Sequence, residues 1–379
     1  MRVYLDNAAT TPIAPEVTAE MLPLLQNEFG NPSSTHFYGR QTKALIETSR
    51  RSIAKWINCN PSEIIFTSGG TEADNMAIQI AIETLGVTRI VSSKIEHHAV
   101  GHTIEYWEKL GKIEVVWLDV DSKGNIDLNE LDTVLSNNQP TLVTLMHANN
   151  EIGTMIDLEA VSKICRLYGA YFHSDTVQTM AHYAFDLQHL EIDFITCAAH
   201  KFHGPKGIGF LYVNKKVKVS ALIHGGAQER GFRGGTENVY GIVGLAKAME
   251  LAYSHLEEHQ NQVQELKSYM MNQLQSQLNE INFHGETDPA KSLYTVLNVS
   301  LPISSKSGML LFTLDLKGVA CSGGSACSSG SVKGSHVLEG ICSDSKRPNV
   351  RFSFSRYTTK AEIDFALEQL VSIYQKELV

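Results

Sequence analysis

Between Glu63 and Val213, short apolar runs alternate with stretches of helical periodicity. The apolar runs are EIIFTS, RIVSS, IEVVWLD, TLVTLMHA and AYFHSD, and helix-like stretches such as TEADNMAIQIAIETL and AVGHTIEYWEKL separate them. This order predicts an α/β fold with a mostly parallel sheet covered by helices. Three further runs, DFITCAA, IGFLYV and VSALI, follow with little helix between them, which allows an antiparallel part of the sheet.

The rest of the chain predicts a second, smaller unit. A proline-free stretch from Val239 to Ile281 has helical periodicity without a sustained heptad, which favours one or two linking helices over a coiled coil. Strand-like LYTVLNVSL and VRFSFS come next, and KAEIDFALEQLVSIYQKEL predicts a closing helix. We therefore predict a large domain over residues 16–250 and a small α+β domain built from residues 1–15 and 251–379.

Charge and composition narrow the function classes. The formal net charge is −9 and no sustained basic stripe is present, which argues against nucleic acid as a partner. Neither a signal-like apolar stretch near MRVYLDNAATTP nor a run long enough to cross a bilayer is found, so we expect a cytoplasmic protein without a membrane partner. The 6 cysteines include no C-x-x-C pair, so reduced thiols are expected rather than a disulfide framework or a zinc clip.

The segment IIFTSGGTEADNMAI predicts a strand, a glycine turn and a helix. Unpaired N–H groups at a helix N-terminus bind phosphate well, and Gly69 and Gly70 would allow its close approach. The segment lacks the G-x-G-x-x-G and G-K-[ST] patterns of dinucleotide and P-loop sites. The alternative is that Thr71 and Asp74 only cap the helix.

Two charged residues follow neighbouring apolar runs, Asp175 after AYFHS and Lys201 after DFITCAAH. Ligands of parallel α/β sheets lie beyond the carboxyl ends of the strands, so both side chains are expected in one crevice. A lysine that loses hydration there can form a Schiff base, although most lysines are solvated at the surface. A phosphate cup, a lysine and an acid are the three groups that pyridoxal phosphate requires.

Two histidines in KIEHHAV, His97 and His98, lie between a predicted strand and a helix. His97 could stack on a flat cofactor ring and transfer protons, or either histidine could cap the helix. A zinc site formed by His97, His98, His200 and His203 is disfavoured, because the spacing differs from that of the i, i+4 histidine pair of zinc proteases.

A Ser/Gly-rich segment, VACSGGSACSSGS, has Cys327 near its middle. An exposed cysteine in a flexible loop suits a nucleophile that must travel, while an incidental cysteine in a hinge is the alternative. Cys321, at the edge of this segment, is predicted to be structural. In the alternating run NVRFSFSRYT, Arg351 lies on the face opposite Val350 and Phe352, where it could bind a carboxylate or form a rim salt bridge.

Several motifs, in this order along nearly the whole chain, carry a resemblance to a known family: LDNAATT, FTSGGTEADN, EHHAV, NNEIG, HSDTVQ, AHKFHGPKG, RGGTEN, SGGSACSSG and VRFS. The chain resembles the group I (NifS-like) cysteine desulfurases of the class V aminotransferase family. The resemblance implies the dimeric type I fold of pyridoxal-phosphate enzymes. It also implies conversion of L-cysteine to L-alanine, with transfer of sulfur to an enzyme cysteine.

The resemblance assigns roles around the cofactor ring. Lys201 would bind pyridoxal phosphate covalently and Asp175 would pair with the pyridine nitrogen. Gln178 would bond the ring hydroxyl, His97 would stack on the ring and transfer protons, and Asn150 would help to orient cofactor and substrate.

The resemblance also assigns the phosphate ligands. Gly70, Thr71 and His200 would hold the phosphate, and Thr236 matches a threonine that reaches it from the partner chain of a homodimer. The chain departs from the family at Ala198, where a phosphate-binding serine is usual, so one hydrogen bond is expected to be missing.

For the substrate, the resemblance implies that Arg351 binds the carboxylate of L-cysteine and that Cys327 accepts the sulfur as a persulfide. Sulfur would then pass to an acceptor protein such as an iron–sulfur scaffold, or to thio-cofactor or tRNA synthesis. A selenocysteine lyase, another pyridoxal-phosphate β-lyase or aminotransferase, and a catalytically silent scaffold are the alternatives. Neither transamination nor simple β-elimination requires a loop thiol such as that of Cys327.

Overall fold

The computed structural model describes residues 1–304, 307–323 and 334–375. The strands in these ranges are β1 Val3–Tyr4, β2 Ile64–Thr67, β3 Arg89–Ser93, β4 Glu114–Leu118, β5 Thr141–Thr144, β6 Tyr171–Asp175, β7 Phe194–Ala198, β8 Gly209–Val213, β9 Asn282–His284, β10 Val296–Ser300, β11 Val319–Ala320 and β12 Asn349–Ser353. The helices are α1 Pro15–Asn27, α2 Phe37–Trp56, α3 Gly70–Glu83, α4 His98–Lys109, α5 Leu128–Leu135, α6 Leu158–Leu167, α7 Val239–Ser254, α8 Leu256–Gln277, α9 Leu310–Leu316, α10 His336–Gly340 and α11 Lys360–Gln375.

A seven-stranded sheet in the order β2-β8-β7-β6-β5-β3-β4 forms the centre of the molecule. Strands β3 to β7 pair in parallel, and β8 is antiparallel to both of its neighbours. Most strands are buried on both faces because helices cover the sheet on each side. Helices α2, α5, α6 and α7 contribute to one hydrophobic core, and α3 and α4 contribute to the other. The predicted α/β class, with a mostly parallel sheet, is confirmed.

One predicted strand, VSALI, is wrong. Residues 219–223 form no strand, and Ile223 makes only a single bridge with Arg233. A hairpin with β8, the strand before this segment, is excluded because β8 already pairs with β2 on one edge and with β7 on the other.

A smaller antiparallel sheet in the order β12-β10-β9 packs against α8, α9 and α11. Val350, Phe352 and Phe354 face its core, as the alternation predicts, and the preceding helical stretch forms two helices, α7 and α8, that meet at His255. The N-terminal strand β1 runs parallel to β11 and contributes Val3 to this core. The domain boundaries at residues 16 and 250 stay a prediction. Among the described helices, none has the length and apolar character needed to span a membrane.

Candidate active site

A cavity of about 220 Å³ opens at the carboxyl ends of the parallel strands. Nearly all of the predicted cofactor and substrate residues line it together. They are Gly70, Thr71, His97, Asn150, Asp175, Gln178, His200, Lys201 and Arg351. Residues at or after the ends of four strands, the first turn of one helix and Arg351 of β12 therefore converge at one place, although they are distant in the sequence.

The N-terminus of α3 forms one end of the cavity. Gly69 precedes the helix with φ of +153°, a backbone conformation that residues with a side chain rarely adopt. No side chain caps the first turn of the helix. Gly70 is required for a different reason, because a Cβ there would lie 2.8 Å from Cγ2 of Val177. The capping alternative is wrong for Asp74, which is buried in the second turn. The N–H groups of the first turn are thus left available to an anion.

Two buried carboxyl groups lie beside each other near the end of β6. Asp175 accepts a hydrogen bond from the Val177 N–H (2.9 Å), and burial, reinforced by the negative charge of Asp74, raises the pKa of Asp175 to about 6. Burial also raises the pKa of Asp74 to about 7. Oδ1 of Asp74 lies 3.5 Å from Nε2 of His173 and has no hydrogen-bond partner among the described residues. This pair can stabilise a positive charge placed in the cavity.

His97 lies both at the start of α4 and at the wall of the cavity. Its Nδ1 accepts a hydrogen bond from the Ala99 N–H (3.1 Å), which caps α4, and the same ring lines the cavity. A possible ligand atom of His97 lies within 4.8 Å of those of Asp74 and Asp175. Burial lowers the pKa of His97, with the charge of Asp175 opposing this effect. Because Nδ1 accepts a hydrogen bond, the neutral ring carries its proton on Nε2, which can donate it, and the ring face can stack.

Lys201 ends a short turn after β7, and the N-terminal segment holds its amine. Nζ donates to the carbonyl oxygens of Ala8 (2.5 Å) and Ala9 (3.0 Å), and Nε2 of Gln178 also donates to Ala8 (3.1 Å). The neighbouring His200 shares a hydrogen bond with Oγ1 of Thr10 (3.1 Å), and its pKa is lowered to about 4 by burial and then by the charge of Lys201. LDNAATT therefore forms one wall of the cavity.

Arg351, on β12, forms a salt bridge that is buried rather than at the rim. Its side chain is 1% exposed, and Nη2 contacts Oδ1 of Asp6 at 2.9 Å. Nη1 donates to the carbonyl oxygen of Asn150 (3.0 Å). The buried Nε has no hydrogen-bond partner within the described ranges, so the guanidinium retains donors for an anion in the cavity.

Three sequence expectations concern residues beyond these contacts. Thr236 is exposed and lines a different cavity, beside Ser68 and Arg233, so it is not brought to the site of its own chain. Cys327 lies outside the described residues. Ala198, which replaces the usual serine, is buried and does line the site, so a hydroxyl is absent at that wall.

Comparison with known proteins places this architecture in a family. The model of the class-V aminotransferases matches residues 3–365. The chain belongs to the class-V aminotransferase family. It is 43% identical over 379 residues to a protein named cysteine desulfurase IscS of Dictyoglomus turgidum, with 99% of this chain and 95% of that protein covered. The predicted family membership is confirmed.

Solved structures agree with this placement. A structure titled NifS-like protein superposes on this class-V aminotransferase with a TM-score of 0.91 at 36% identity, covering 99% of this chain and all of that one (100%). A second, titled SspA in complex with cysteine, has a TM-score of 0.79 at 31% identity and covers 95% of this chain and 100% of that one.

Sequence reasoning on this class-V aminotransferase missed four residues that shape the site. LDNAATT is one of the family motifs, but the sequence argument gives no role to Asp6, Ala8 or Ala9 and predicts only a capping role for Asp74. A run of small and polar residues before a helix was the available signal for the first three. Asp74 offered none, because only tertiary packing shows that its carboxyl group lies next to that of Asp175.

Proposed function

We propose that the protein is a cysteine desulfurase that uses pyridoxal phosphate to convert L-cysteine to L-alanine. In this proposal the sulfur moves to Cys327. The observation that carries it is the single cavity in which Lys201, Asp175 and Arg351 meet at the carboxyl ends of the strands. Similarity to a protein named cysteine desulfurase, over almost the whole length of both chains, supports the choice of reaction.

The described residues fit pyridoxal phosphate. The uncapped first turn of α3 and the absence of a side chain at Gly70 suit the phosphate, the buried acid Asp175 suits the pyridine nitrogen, and Lys201 lines the same cavity. Gln178, His97 and Asn150 would contact the ring and its substituents. Thr71 and His200 would complete the phosphate site, together with Thr236 of a second copy. When bound, the cofactor supplies an electron sink for negative charge that develops on the substrate carbons.

The side chains of the protein then have distinct tasks. Arg351 binds the substrate carboxylate through donors that Asp6 and Asn150 leave available. The Lys201 amine takes a proton from the substrate α carbon. His97, neutral because burial lowers its pKa, carries its proton on Nε2 and can donate it to the reacting substrate.

Sulfur transfer requires Cys327. Its thiolate attacks the substrate sulfur, so a sulfur–sulfur bond forms and the carbon–sulfur bond breaks. The electron pair of the broken bond stays with the substrate β carbon, which takes up a proton and becomes the methyl group of alanine. Cys327 is left as a persulfide, which an acceptor protein, such as an iron–sulfur scaffold, would receive in the cytoplasm.

Alanine and sulfide release from L-cysteine in the presence of a thiol reductant tests the proposal. The native protein should release both products. Cys327→Ala should keep the absorbance of the bound cofactor and lose at least about 99% of the desulfurase activity. Cys342→Ala is the matched control, because Cys342 is an exposed cysteine to which the proposal assigns no role.

Two results would contradict the proposal. Equal activity of Cys327→Ala and the native protein would exclude this thiol as the sulfur acceptor and favour a β-elimination lyase. Release of pyruvate and ammonia in place of alanine by the native protein would lead to the same conclusion.

A further inference from the structure

Asp6 connects three parts of the chain at the wall of the proposed substrate site. It follows β1, and its Oδ1 accepts hydrogen bonds both from Nη2 of Arg351 (2.9 Å) and from Oγ of Ser322 (2.8 Å). The main chains of Ser322 and Arg351 are also bonded to each other, at 2.6 Å and 3.2 Å. Asp6 thus lies where the N-terminal segment, β12 and the end of the 307–323 range meet.

Burial makes the contact between Asp6 and Arg351 energetically important. Arg351 is 1% exposed, and Asp6 is 19% exposed. A buried guanidinium without an anionic or carbonyl partner is strongly disfavoured, since its lost hydration is not replaced. Among the described residues, the guanidinium of Arg351 has two hydrogen-bond acceptors, the carboxylate of Asp6 and the carbonyl oxygen of Asn150.

These two contacts also fix the orientation of the guanidinium. Asp6 engages Nη2 and Asn150 engages Nη1, so the planar group is held at both of its terminal nitrogens. Nε is buried without a partner in the described part of the chain. Two parallel hydrogen bonds to a carboxylate require such a fixed plane, because a rotated guanidinium presents its donors in the wrong direction.

We propose that Asp6 is a positioning residue that holds Arg351 in the orientation required to bind the carboxylate of the amino-acid substrate. This inference rests on the proposed function and extends it to a residue that does not touch the substrate. The role of Asp6 is to accept a hydrogen bond at a fixed place, so an acceptor of the same shape should replace it. The effect should depend on the presence of a carboxylate in the ligand.

Steady-state kinetics of the holoenzyme test the orientation role. Asp6→Ala should raise KM for L-cysteine by about tenfold or more, the effect expected for a lost hydrogen bond to a charged group. The value of kcat should stay within about twofold, because carboxylate binding is shared by the ground and transition states. Asp6→Asn keeps the Oδ1 acceptor and should return KM to within about threefold of the native value. Ser322→Ala, the matched control, removes only the second donor to Asp6 and should leave KM within about twofold.

Ligand binding supplies the second readout. Asp6→Ala should weaken binding of L-alanine, the proposed product, by about the same factor as it raises KM. It should leave binding of cysteamine, which lacks a carboxylate, unchanged. If Asp6→Ala does not fold, Asp6→Ser takes its place, because a serine hydroxyl is too short to reach Nη2.

The outcomes separate this inference from the function on which it rests. A native protein that makes no alanine from L-cysteine overturns the proposed function. A native protein that does so, with Asp6→Ala unchanged in KM, overturns the positioning role. Equal weakening for L-alanine and cysteamine, or an equal effect of Ser322→Ala, also overturns it, since the effect would then not pass through Arg351 to a carboxylate.

Discussion

At the residue scale, two adjacent glycines at the start of α3 serve different physical needs. Gly69 has φ of +153° with open space around its Cβ position, so it is needed for backbone conformation. At Gly70 the need is space, because a Cβ would lie 2.8 Å from Cγ2 of Val177 and 3.7 Å from Cβ of Ala198. The width of the proposed phosphate cup is therefore set by Val177, a neighbour from the turn after β6.

Gly70→Ala should weaken binding of pyridoxal phosphate by about tenfold, because overpacking by one methyl group costs about 1–3 kcal/mol. Titration of the apoprotein, followed by the cofactor absorbance, measures the dissociation constant. Gly70→Ala combined with Val177→Ala should recover most of the loss, and Val177→Ala alone is the control. If the double variant binds no better than Gly70→Ala, the contact with Val177 does not limit the cup.

At the scale of elements, α8 has a lysine on its buried face. Val263, Lys267, Met270 and Leu274 are the buried positions of this helix. Nζ of Lys267 donates to Oγ of Ser292 (2.7 Å) and to the carbonyl oxygen of Leu293 (2.9 Å), which fixes the segment before β10 to α8. The N–H of Leu293 in turn donates to the carbonyl oxygen of Gly153 (2.7 Å), close in sequence to Asn150. The lysine thus helps to join the small sheet unit to the wall of the site.

The stability of the protein should depend on pH through Lys267. Burial lowers the pKa of its amine to about 7, so above that pH the folded state binds fewer protons than the unfolded state, and the native protein becomes more stable as pH rises. Lys267→Met has no amine at this position, so it lacks this gain in stability. The free energy of unfolding of the native protein, relative to that of Lys267→Met, should therefore rise by about 2 kcal/mol between pH 7 and pH 9. Urea denaturation at both pH values measures this.

The exposed Lys109 on α4 supplies the matched control for this measurement. Lys109→Met should show the same pH dependence of unfolding as the native protein. A difference between the native protein and Lys267→Met that does not vary with pH would mean that the buried amine is not the titrating group.

At the scale of the whole molecule, one residue of the proposed site, Thr236, does not lie at the site of its own chain. It is exposed, and the cavity it lines lies beside Ser68 and Arg233 rather than among Lys201 and Asp175. A residue that lies apart in its own chain can reach a site across a twofold axis, because a symmetric dimer repeats the same contact twice. The homodimer that the family resemblance implies would bring Thr236 to the phosphate cup of the second copy.

Mixed dimers test this arrangement. Lys201→Ala and Thr236→Ala should each impair cofactor binding or activity when pure. After unfolding and refolding together, about a quarter of all sites should combine an intact Lys201 with an intact Thr236 from the other copy. Native-like activity at these sites is the expected result. If the mixture is no more active than the average of the two pure variants, Thr236 does not act across a dimer.

Much of the fold could be predicted because local pattern and tertiary environment agree there. Strands β2 to β8 coincide with the predicted apolar runs, since strands that helices cover on both faces are rich in apolar residues. VSALI is apolar as well, yet it forms no strand, and it cannot pair with the preceding strand β8 because both edges of β8 are already paired. No local pattern can report whether an edge is already paired.

The sequence by itself determined the chemistry that is available. The order of motifs identified the family, and a lysine and an acid at neighbouring strand ends indicated one crevice, since parallel strands end at the same edge of the sheet. Only the tertiary structure decided which neighbouring groups set the charge, hydration and orientation of those residues. Asp6 meets Arg351, Ala8 and Ala9 hold Lys201, and Asp74 lies beside Asp175. The physical reason is that charge, hydration and orientation depend on neighbours that the fold brings together from distant parts of the chain, which no local sequence pattern records.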